Sequence, residues 1–230
     1  MSQADNGYAT ILVVGLMSAL SVIAVSVMNL STMQAKKNIK LQNQLEADIY
    51  QESVFNNIIG DILSHKIKFD DSTLIIQRTV DNQSFSVTAE FESSKTNLNA
   101  IPNEKIHTSV RTLMPANDNW GDLAESIHQV MQSHGSIQNF KDINFSNSDT
   151  LIPIHCLREQ FTIFSSNAPF DYDPRRGTIS DGAILRLIIN PNSPSSKRGL
   201  DATVLFTGIK SEPYWVLDWT RAPTYSEEEC

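Results

Sequence analysis

No lysine or arginine precedes Lys36, and from Tyr8 to Met28 there is no charge of either sign. A secretory signal peptide needs a basic start, a short apolar run and a small-residue cleavage site, so this N-terminus does not read as one. The chain has only two cysteines, Cys156 and Cys230, which excludes a disulfide-dense scaffold but leaves room for one bridge in an oxidising compartment. Basic surplus is missing too. The net charge is −8 and the isoelectric point about 5.1, which argues against a nucleic-acid footprint. No glycine-rich phosphate loop, Gly-x-Ser-x-Gly, His-Glu-x-x-His or Cys-x-x-Cys occurs. The spacing of His128 and His134 does not put them on one helical face.

What the chain does have is an apolar stretch over Gly7–Leu30, broken between Tyr8 and Met28 only by Thr10, Ser18, Ser21 and Ser26. Their hydroxyls can bond back to a carbonyl one turn earlier. About twenty such residues suffice for a helix to cross a bilayer, where every backbone polar group must pair internally. The spacing predicts that this helix continues to about Lys66. Between Met28 and Ile67 there is no proline and one glycine, Gly60, and Leu41, Leu45, Tyr50 or Ile49, Val54, Ile58 and Ile62 recur mostly three or four apart. Such a stripe should pack on the domain that follows. Lys36, Lys37 and Lys40 flank the apolar helix on its C-terminal side; read alone, they place that domain in the cytoplasm.

The rest of the chain reads as mostly β. Residues 74–80 and 85–91 alternate across an Asp81-Asn-Gln-Ser84 turn and predict a hairpin. A loop follows over 92–103. Asp118 or Asn119 is expected to cap a helix over 123–131, closed by Gly135. Asn147 or Ser148 is expected to cap a short helix over 151–157, limited by Pro153. Phe161–Phe164 and residues 183–189 read as strands, and 202–207 with 214–219 as a last hairpin. Trp120, Tyr214, Trp215 and Trp219 read as core or edge aromatics. Asp171 and Asp173, with Asp181 nearby, form an acidic loop of a kind calcium favours, or simply a solvated turn. The expected fold class is α+β: a long N-terminal helix, transmembrane and then amphipathic, packed on an antiparallel sheet with a small helical insert.

A short polar leader ending in Gly7, an aromatic Tyr8 and an unbroken apolar helix resemble the N-terminus of type IV prepilins and type II secretion pseudopilins. The resemblance implies cleavage by a prepilin peptidase between Gly7 and Tyr8 and methylation of the new terminus. Most of those chains carry glutamate where this one has Leu12, and its absence marks the K-class minor pseudopilins. Glu92-Ser-Ser-Lys-Thr-Asn-Leu-Asn-Ala-Ile-Pro102, Phe140-Lys-Asp-Ile143, Phe161-Thr-Ile-Phe164 and Tyr214-Trp-Val-Leu-Asp-Trp219 resemble segments of that class.

On this resemblance, residues 1–7 are a leader and 8–30 a transmembrane helix. Residues 31–67 are an amphipathic spine, and 68–230 a periplasmic domain with a helical insert at about 100–158. The implied protein is a non-enzymatic subunit at the tip of a periplasmic pseudopilus, anchored once in a bacterial inner membrane. Its partners would be the other minor pseudopilins, the major pseudopilin and the prepilin peptidase, with no nucleic acid and no small-molecule substrate. Calcium is the one cofactor to consider. A minor pilin of a type IV pilus and a single-pass anchored periplasmic enzyme or sensor remain the alternatives.

Overall fold

The computed structural model describes residues 5–113, 120–143, 154–165, 171–192 and 198–223. It divides into two compact units, residues 1–50 and 51–230. A single helix, α1, runs Asp5–Leu63 and belongs to both. It begins before Tyr8, so Asn6 and Gly7 are helical, and no proline stops it there. Its end is a two-bond cap. Lys66 N–H donates to the Asp61 carbonyl at 2.9 Å and His65 N–H to that of Ile62 at 3.0 Å, with His65 left-handed at φ 58°.

The first unit is a bare helix. Ile11 to Leu30 are exposed throughout, and Ser18, Ser21 and Ser26 each donate to the carbonyl four residues back at 2.8 Å. The predicted stripe is covered only in part. Leu41, Leu45 and Ile49 are exposed, whereas Gln51, Val54, Phe55, Ile58, Ile59 and Ile62 are buried.

The second unit is α+β. Its main sheet is antiparallel in the order β1-β2-β7-β8-β9. The strands are β1 (Thr73–Val80), β2 (Gln83–Phe91), β7 (Ile184–Pro191), β8 (Arg198–Ile209) and β9 (Glu212–Pro223). Asp81 and Asn82 both take positive φ, 46° and 66°, which gives the β1–β2 hairpin the twist its strands need. Between β2 and β7 lie β3 (Thr96–Asn97), α2 (Ile106–Leu113), α3 (Trp120–His134), α4 (Ile154–Gln160), β4 (Phe161–Thr162), β5 (Tyr172–Asp173) and β6 (Thr178–Ile179). β4 is thus much shorter than the strand expected over 161–164. Helix α2 has no counterpart in the sequence reading. Gly135 does end α3, at φ 75°, and its N–H donates to the Met131 carbonyl at 2.9 Å. The expected caps at Asp118, Asn119, Asn147 and Ser148 lie outside the described residues.

The sheet register sorts the side chains. Val87 pairs Ile189, Ala89 pairs Leu187, and Leu187 pairs Ala202, which lines one face with apolar groups. The last turns of α1 cover this face, where Phe55 meets Trp219 edge-on at 5.0 Å and Tyr214 at 6.3 Å. Gln51 is fully buried here. Its amide donates to the Arg198 carbonyl at 2.6 Å and accepts from Arg221 at 2.6 Å, tying α1 to the last two strands. The helical segment has an apolar core of its own, which includes Ile106, Val110, Leu123, Ile127, Phe140, Leu157 and Phe161.

Candidate functional site

The opposite face of the sheet carries a row of polar groups. Glu90 stands opposite Arg186, Arg186 opposite Thr203, and Thr203 opposite Asp218, one residue from each of four neighbouring strands. Alternation along β8 puts Asp201 on the same face. Onto this row α4 lowers Arg158.

Arg186 grips Asp201 with two parallel bonds, Nε to Oδ1 at 3.0 Å and Nη2 to Oδ2 at 2.8 Å, and reaches Glu90 at 2.8 Å. Arg158 meets Asp201 at 3.0 Å, Asp218 at 2.9 Å and the Thr203 hydroxyl at 3.0 Å. Arg186 also donates to the Arg158 carbonyl at 2.8 Å, so side chain and backbone of α4 are both held. Lys95 extends the cluster through Glu90, and through Glu92 at 3.0 Å.

Seven charged groups therefore fill the layer between the sheet and the helical core. Burial alone would raise the Asp201 pKa; attraction to Arg186, its hydrogen bonds, and the charges of Arg158 and Lys95 reverse this and hold the carboxyl below its ordinary value. Burial alone would lower the Arg186 pKa, and Asp201, Glu90 and Glu92 carry it above its ordinary value instead. Each carboxylate of the cluster meets a cation. The arrangement ties the sheet to the helical layer.

Each residue singled out from sequence has a definite place. Gly7 and Tyr8 lie within α1, and Leu12 is exposed on it. Asp171 accepts from the Ser93 hydroxyl. Asp173 Oδ1 closes a turn by accepting from Arg175 N–H at 2.9 Å. Asp181 sits against Gly208, where any Cβ would collide with its carboxylate. Among the described residues no group of three metal-ligating side chains forms. Cys156 is disulfide-bonded. The chain's other cysteine, Cys230, lies outside the described residues.

The sequence reading missed Arg158, Arg186 and Asp201. The signal was there for Arg186, the single charge in Ala183-Ile-Leu-Arg-Leu-Ile-Ile189. It also missed what Asn97 and Asn99 do. Asn99 donates to the Ile137 and Ile163 carbonyls, both at 3.0 Å, and accepts from Ile137 N–H at 2.7 Å, while Asn97 caps the turn that holds it.

No family model, curated protein or solved structure matches the chain.

Proposed function

We propose that this chain is a minor pseudopilin of a type II secretion system, a non-enzymatic subunit at the tip of a periplasmic pseudopilus. One observation carries the reading. A single helix, Asp5–Leu63, is apolar and wholly exposed over Ile11–Leu30, and its last turns form part of an α+β core. An uncharged helical surface of that length needs lipid or other helices around it. An apolar helical segment continuous in sequence with a folded α+β unit suits a subunit stored in the inner membrane and stacked with its like.

Leu12 supports a leading position. A carboxylate at that depth would need a partner, and leucine needs none. The Cys156 disulfide supports a periplasmic head over the cytoplasmic one that Lys36, Lys37 and Lys40 suggest. The other minor pseudopilins and the major pseudopilin would surround the helix.

Co-expression with a prepilin peptidase tests the proposal. The expected result is a shortened chain starting at Tyr8, with the shift abolished in Gly7→Ala. An unprocessed chain would leave a plain membrane anchor bearing a periplasmic sensor or enzyme domain. Processing followed by incorporation into a surface pilus would favour a type IV minor pilin.

A further inference from the structure

Helix α4 and the far end of β9 meet across one cavity of about 190 Å³. Ile154, His155 and Arg158 line it from the helix, and Thr220 and Arg221 from the strand. Three cations, Lys141, Arg158 and Arg221, share its wall with two carboxylates, Asp201 and Asp218. Arg158 already holds both carboxylates. The wall therefore carries a positive surplus, in a chain whose net charge is −8.

Cys156 follows His155 directly on α4. It is disulfide-bonded and only 3% exposed. The sequence supplies one other cysteine, Cys230. A disulfide holds its two Cα atoms within about 7 Å of each other. The partner of a sulfur buried this deeply is therefore seated against the helical block. β9 ends at Pro223, two residues beyond Arg221 in the cavity wall. Residues 224–230 read Thr-Tyr-Ser-Glu-Glu-Glu-Cys. Extended, a segment of that length reaches about 25 Å, ample to cross the cavity.

We infer that Cys230 completes the Cys156 bridge and that residues 224–230 form an acidic strap docked across this cavity. The tether decides which segment arrives there, and the charge of the wall decides how it is held. Glu227, Glu228 and Glu229 immediately precede the bridge, which brings three carboxylates to the wall that holds Lys141 and Arg221. Closing the bridge joins the two sulfur atoms and releases two protons. Its two electrons pass by exchange to the disulfide of a thiol–disulfide oxidoreductase. The closed loop contains β4 to β9, so the strap couples the last edge strand to the helix that carries Arg158. The inference goes beyond the fibre reading, because it needs only an oxidising compartment.

The test uses the full-length chain, purified oxidised in detergent micelles. Peptide mapping without reduction should find Cys156 joined to Cys230 within one chain. Titration of the bridge against reduced and oxidised glutathione then reads the docking. Contacts that hold the strap in place raise the effective concentration of the two thiols and so the equilibrium constant for closure. Glu227→Gln, Glu228→Gln and Glu229→Gln combined should lower that constant about threefold or more, the worth of one to three exposed ion pairs. An equal constant in that variant would overturn the docking. Free thiols at both positions, or Cys230 joined to a second chain, would overturn the strap itself.

Discussion

Arg186 shows how one side chain can organise a layer. Its neighbours from Ile184 to Ile189 are all apolar and its side chain is 2% exposed, so its charge cannot reach water. It persists because Asp201 accepts two of its hydrogen bonds and Glu90 a third. Removing one partner of such a pair leaves a buried charge uncompensated. Asp201→Asn should therefore cost about 3–5 kcal/mol at neutral pH by chemical denaturation. The pH dependence follows from the depressed carboxyl. Asp201's contribution is complete above the unfolded aspartate pKa of about 3.9 and is lost as pH falls through the lower folded value. The gap between wild type and Asp201→Asn should accordingly narrow in acid titrations below about pH 4. A gap that stays constant to low pH would contradict this role. A lone arginine in a hydrophobic run was visible in the sequence. Its partners were not, because Glu90 and Asp201 are brought to it only by the strand register.

Among the elements, α1 is half legible. The spacing of Val54, Ile58 and Ile62 marks a buried face, and the structure buries all three. Leu41, Leu45 and Ile49 carry the same spacing yet stay exposed, because periodicity reports an amphipathic face and not what lies against it. Val54→Asp should cost about 3 kcal/mol or more, since the new carboxylate would face apolar strands without a cation. A calorimetric melt of the full chain would show it, and an unaltered midpoint would count against the packing described. The β1–β2 hairpin was fully legible, because Asp81 and Asn82 tolerate the positive φ that the turn demands. Helix α2 was not. It has 8 residues, and Ile106, Val110 and Leu113 supply only two turns of period.

For the molecule as a whole, the apolar N-terminus was plain from hydropathy alone, as was the α+β class from the order of its segments. The charged layer was not, since it depends on which strand lies beside which. The proposed place at the head of a fibre makes a prediction at this scale. Leu12→Glu should leave processing at Gly7 intact and change which subunits cross-link to the helix. An unchanged set of partners would argue against a leading position. Such a carboxylate would need a cation at the same membrane depth.

The ion layer has a further consequence for how the helical block is seated. Two greasy surfaces can slide and rotate against each other at small cost, and several seatings would then compete. A guanidinium that must find Asp201, Asp218 and a threonine hydroxyl together admits a single orientation. The block is keyed to the sheet, much as a plug is to a socket. A variant with an all-aliphatic layer should hold as firmly yet lose its unique pose.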